Sequence, residues 1–132
     1  MNKQGYNQYK QNSIYTASPE ELTLMLYNGL IKFIMKAQFS ISKSDIEGAN
    51  GNILRSQAIV TELAATVDEK YEISTSLIAL YDYMNRRLIE ANMKKNSEIL
   101  EEVLTYAKQF RDTWEQAMRI AKQPAKKDAV GI

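Results

Sequence analysis

The chain has 132 residues, no cysteine, no histidine and a formal net charge of +1. That length suits one domain with a real apolar core, and the missing residue types exclude disulfides, thiol nucleophiles, thiolate metal sites, and the commonest general base and transition-metal ligand. The charge leaves no electrostatic footprint for nucleic acid, the polar start (Asn2, Lys3, Gln4, Asn7) lacks the apolar stretch of a signal peptide, and no uncharged apolar run approaches the ~20 residues of a membrane span, so a cytoplasmic protein with no membrane insertion is the expectation.

Residues 1–17 read as an N-terminal extension. They carry three tyrosines, Tyr6, Tyr9 and Tyr15, in an otherwise polar segment. Composition alone favours a loose tail; the alternative is that the rings dock into a surface groove, where each buries a large area.

The first long helix is sharply marked. Ser18 is suited to accept from an orphan N–H of the first turn, and Pro19 stands where its missing N–H costs nothing. Glu21, three residues after Ser18, completes a capping box, and Glu20 and Glu21 meet the positive end of the helix dipole. The helix is predicted over about Pro19 to Ser42, with Leu22, Leu26, Gly29, Phe33, Ala37 and Ile41 as its inward stripe. Met25, Leu30 and Ile34 widen that stripe. Gly29 costs roughly 1 kcal/mol against alanine in a helix, and the simplest compensation is the close approach of a neighbouring helix.

The second helix starts near Asp45 or Asn50, blurred by Gly48 and Gly51, and reaches about Asp68. Ile53, Val60, Leu63 and Val67 form its stripe. The third runs from about Ile73, with Glu72 or Ser74 as cap, to Met93, and turns Leu77, Tyr81, Met84, Leu88 and Ala91 inward. The fourth follows the linker Lys94-Lys95-Asn96-Ser97, with Ser97 as its cap. Leu100, Val103, Ala107, Phe110, Trp114, Ala117 and Ala121 keep the heptad spacing of a bundle seam, and Pro124 marks the stop. Phe110, Trp114 and Leu88 are assigned to the core. Glycine and proline, at 5 and 2 residues, interrupt little else. The expected fold is all-α: an antiparallel up-down-up-down four-helix bundle over residues 18–123, with short loops between neighbours. The N-terminal extension precedes it with the capacity for a short capping helix, and a flexible tail follows at 124–132.

Sites of chemistry are thin. Glu20-Glu21, Asp68-Glu69 and Glu101-Glu102 are sequence neighbours, which do not share a helix face and so cannot converge on one proton or metal. Residues 18–121 hold 12 basic against 15 acidic side chains, a balance that argues against nucleic acid. No catalytic residue, metal or cofactor is expected. Eight apolar residues fall off the helix stripes: Leu24, Tyr27, Phe39, Leu54, Ile59, Ile78, Ile89 and Tyr106. They are either additional core or, if contiguous, a groove for an amphipathic helix. Interfaces formed by such residues also serve a generic helical oligomerisation module, which is the alternative function.

Several short stretches carry a family resemblance: Thr16-Ala17-Ser18-Pro19-Glu20-Glu21-Leu22, Leu26-Tyr27-Asn28-Gly29, Leu80-Tyr81-Asp82-Tyr83-Met84, Ala91-Asn92 and Arg111-Asp112-Thr113-Trp114. In this order and spacing, over about residues 6 to 118, the chain resembles FliS-type flagellar secretion chaperones. Asn28 departs from the aspartate usual in that family. The resemblance implies a non-enzymatic cytoplasmic carrier that binds the C-terminal helical segment of flagellin and prevents its premature polymerisation. It then delivers the cargo to the flagellar type III export apparatus. The export gate and a flagellar regulator are further partners that the resemblance leaves unranked. It also implies that the N-terminal segment lies over the client groove, so that Tyr6 and Tyr9 cap or help form the site. The expected client surface is Tyr6, Tyr9, Tyr15, Tyr27, Leu54, Ile59, Ile78 and Ile89.

Overall fold

The computed structural model describes residues 17–122. The expected capping helix, the three N-terminal tyrosines and the C-terminal tail lie outside the described residues. Four helices follow in order: α1 (Pro19–Ser42), α2 (Ile46–Ala65), α3 (Ser74–Lys94) and α4 (Ser97–Ala121). Each packs on its sequence neighbour, and α4 closes the ring on α1.

Cross-helix bonds set the directions. The Trp114 indole N–H donates to the Glu20 carbonyl at 3.0 Å, and Gln38 Nε2 donates to Glu101 Oε1 at 3.0 Å. The start of α1 thus lies beside the later part of α4, and its end beside the start of α4. Asn92 meets Asn50 and Asn85 meets Thr61, which makes α2 and α3 antiparallel in the same way.

The ends of the helices follow local chemistry. Ser18 Oγ accepts from the Glu21 N–H at 3.2 Å, and the Glu21 carboxylate answers from the other side, so the capping box forms as read. The α1–α2 turn passes through Ser44 at φ 57°. Asp45, rather than Asn50, caps α2 and accepts from the Gly48 N–H at 2.9 Å. A Cβ on Gly48 would stand 2.2 Å from Asp45 Oδ2 and 2.9 Å from Ser40 Oγ. The glycine that blurs this helix start in the sequence is therefore what lets the cap form. The helix ends at Ala65, short of Asp68, where the Thr66 hydroxyl turns back onto the Leu63 carbonyl at 2.7 Å.

Neither Glu72 nor Ser74 caps α3, which begins without a side-chain cap. At the other end Lys95, at φ 49°, closes α3 and frees Asn96 to extend. Asn96, not Ser97, caps α4, accepting from the N–H groups of Glu98 and Ile99 at 2.8 and 3.0 Å.

The core is one cluster. Its fully enclosed members include Leu30, Ile34, Ile53, Leu63, Met84, Leu88, Leu100 and Val103. Two corrections concern phase. In α1 the buried sector runs through Tyr27, Leu30, Ile31, Ile34 and Ala37, while Leu22, Leu26, Phe33 and Ile41 are half-buried. The helix is gripped by α2 on one flank and α4 on the other, so the sector between them is deepest. The stripe through Gly29 and Phe33 is its α2-facing edge. In α4, Leu100, Val103 and Ala107 are buried as the seam requires, but Phe110 and Trp114 are only half-buried, and Ala117 and Ala121 are exposed. The cause is length: at Trp114 the helix has reached the first turn of α1, and its last turns run past it.

Candidate interaction surface

The apolar residues expected to form the client surface divide into three groups. Tyr6, Tyr9 and Tyr15 lie outside the described residues. Tyr27 is buried and Ile59 half-buried. Leu54, Ile78 and Ile89 are open, at 52%, 38% and 45% of full exposure.

Tyr27 is a correction. It is buried, and its hydroxyl sits 2.5 Å from that of Tyr81, 54 residues away on α3. Burial in apolar surroundings raises the pKa of both phenols, so both stay neutral and the pair is a satisfied core contact. Ile59 is half-buried. Its Cδ1 lies 3.3 Å from where a Cβ on Gly29 would be, so it fills the notch that the glycine leaves in α1. The close approach expected at Gly29 is thereby accounted for.

Leu54 and Ile89 share one level of the α2–α3 seam. On α2, Leu54 lies between Asn50 and Thr61; on α3, Ile89 lies between Asn85 and Asn92. The two interhelical bridges, Asn92–Asn50 at 2.8 Å and Asn85–Thr61 at 3.3 Å, bracket them. Ile78 continues the α3 stripe, since residues 78, 82, 85, 89 and 92 fall on one face of a helix. It stands about 16 Å along the axis from Ile89, at 1.5 Å per residue. The ion pair of Arg86 and Asp82 lies between them. The arrangement is a shallow helix–helix seam with apolar points and polar rungs, which suits an amphipathic helix.

The α3–α4 surface is built otherwise. The Tyr83 hydroxyl donates to Glu102 Oε2 at 2.6 Å, and Arg87 Nε donates to Glu102 Oε1 at 2.7 Å. Arg87 also pairs with Glu90, and the Tyr83 and Tyr106 rings meet edge to face. The Tyr83 hydrogen bond, with Arg87 next, holds the Glu102 carboxyl below the ordinary carboxylate range. The cluster ties two helices and leaves Tyr106 half-buried, so that residue too belongs with the packing.

Two features escaped the sequence reading. One is a hollow of about 530 Å³ at the bundle end, lined by Pro19, Leu22, Thr23, Thr66, Tyr71 and Trp114 among others. It exists because α4 overshoots and the 66–73 connection bends around it. The other is a cationic, aromatic strip on the outer face of α1 and α2, where Lys32, Lys36 and Arg55 surround Phe33. Lysines at positions 32 and 36, one turn apart with a phenylalanine between, were the available signal. Arg55 joins them only through the pairing of α1 with α2. Among the described residues no group of three or more acidic side chains could hold a metal ion, and no helix is long and apolar enough to cross a membrane.

Comparison with known proteins adds what the geometry leaves open. The family described as flagellar protein FliS matches residues 1–121. A flagellar secretion chaperone of Bacillus subtilis is 48% identical over 114 residues, covering 86% of each chain. That of Campylobacter jejuni is 32% identical over 118 residues, covering 88% of this chain and 92% of its own. That of Escherichia coli is 28% identical over 111 residues, with 82% of each covered. A bundle of this shape, matched across nearly all its length, belongs to the FliS family of flagellar secretion chaperones.

Proposed function

We propose that this protein is a cytoplasmic export chaperone whose client is the C-terminal helical segment of flagellin. It keeps that segment from polymerising and brings it to the flagellar type III export apparatus, with the export gate or a flagellar regulator as a further contact. The observation that carries the reading is the family match across residues 1–121. The open Leu54–Ile89 seam supports it by offering apolar points that the bundle's own core does not use.

The physical logic is that of a holdase and needs no catalytic step. A client disordered before binding gives up conformational entropy when it docks, so it can wrap a wide surface and still be released. The four helices act as the rigid body. Residues 1–17 bring Tyr6, Tyr9 and Tyr15 as anchors that cover the seam or grip the client, and Ile78 extends the contact along α3. An N-terminal segment that occupied the seam part of the time would lower the apparent affinity by the closed fraction.

Polymerisation is the test. Flagellin monomers seeded with filament fragments and followed by light scattering should stop growing at one equivalent of this protein. Growth at the unmodified rate with a several-fold excess of the protein would remove the proposal.

A further inference from the structure

The outer face of α1 and α2 has a charge pattern that the client seam does not explain. From residue 22 to residue 44 the chain carries three lysines and no acidic side chain. Two of them, Lys32 and Lys36, hold their ammonium groups 5.5 and 5.7 Å from the Phe33 ring centre. Arg55 of α2 brings its guanidinium to 5.7 Å of the same ring. The third, Lys43, stands 5.5 Å from the Phe39 ring. Like charges one turn apart on a helix repel. Yet Lys36, Lys43 and Arg55 make no ion pair with a carboxylate of the described residues, although seven such pairs occur elsewhere on the bundle.

Apolar groups lie open among these cations. Phe39 and Met35 are 64% and 50% exposed, one turn apart on α1. With Lys36, Ser40 and Asn52 they border a shallow furrow of about 390 Å³. On α2 the strip uses Asn52 and Arg55, not the Leu54 side that faces α3.

We propose that this furrow is a second docking site, for a partner helix whose apolar ridge seats on Met35 and Phe39 and whose flanking carboxylates meet Lys36, Lys43 and Arg55. Charge complementarity selects the occupant: unneutralised cations beside apolar anchors fit an acidic amphipathic helix. The apolar floor and the near-neutral net charge of the chain disfavour a nucleic acid, which binds through many phosphate contacts. The site does not rest on the identity of the flagellar client, and it lies on a different side of α2 from Leu54.

The test uses the full chain and a dye-labelled peptide of about 20 residues, long enough to form a helix, with leucines on one face and glutamates on both flanks. A peptide with lysines in place of the glutamates is the control. Anisotropy should show saturable binding of the acidic peptide only, weakening as salt is added. K36E combined with R55E should weaken it by about ten-fold or more, as should F39S, because one removes the charge match and the other the anchor. All three positions are exposed, so circular dichroism should remain unchanged. No binding of the acidic peptide, or binding indifferent to these substitutions, would overturn the site. So would loss of charge selectivity, or binding to phosphatidylserine vesicles through the same residues without binding to the peptide.

Discussion

Tyr27 and Tyr81 place two hydroxyls inside an apolar core, each the other's partner. Losing one leaves the other buried and unsatisfied, whereas losing both removes the debt. Tyr27→Phe should therefore cost about 1–3 kcal/mol in urea unfolding, and the double change to phenylalanine should recover most of it. Additive losses in the double variant would show that the hydroxyls reach water instead. Glu102 gives a pH prediction. Tyr83 and Arg87 hold its pKa below that of the unfolded chain. A group with a lowered folded pKa adds stability above its unfolded value and loses it as pH falls through the folded one. The unfolding midpoint should then drop on acidification below about pH 4.3, the ordinary glutamate value, and Glu102→Gln should flatten that limb. Equal acid sensitivity in the variant would assign the effect to other carboxylates.

At the scale of helices, two glycines do opposite work. Gly48 makes room for the Asp45 cap, so Gly48→Ala should cost about 1–2 kcal/mol, the value of a lost N-cap. Gly29 admits only the flexible end of Ile59. Gly29→Ala regains helix propensity of about 1 kcal/mol while pushing that methyl aside, and thermal melting should show little net change. Trp114→Ala should cost about 2 kcal/mol, below the ~3–5 of a fully buried aromatic, because the indole is half-buried at the overshooting end of α4. The periodicity of apolar residues made the four helices and their order legible, and the Ser18 box located the first start to the residue. What periodicity carries poorly is phase and endings. Asn96 and Ser97 are equally good caps on paper, and the left-handed turn at Lys95 decides between them. Tyr27 looked outward because its justification is a hydroxyl 54 residues away. Leu54, Ile78 and Ile89 were legible as off-stripe because nothing of the core lies at their angle on the helix.

At the scale of the molecule, the ring of four helices leaves the α2–α3 seam and the α1–α2 furrow as separate outward faces. The seam's apolar points are exposed, so charges there should spare the fold. Leu54→Asp and Ile89→Asp should each weaken client binding ten-fold or more, at about the hot-spot scale, with an unfolding midpoint close to that of the parent. Precipitation of either variant would mean that the residue is packed after all. Titration calorimetry with a peptide of the last ~50 residues of flagellin is the most direct measurement, since a wrapped client buries much apolar surface and so lowers the heat capacity. One-to-one binding at micromolar affinity or tighter, with a large negative heat-capacity change, is the predicted result; no heat of binding from a soluble peptide at high concentration would contradict the account.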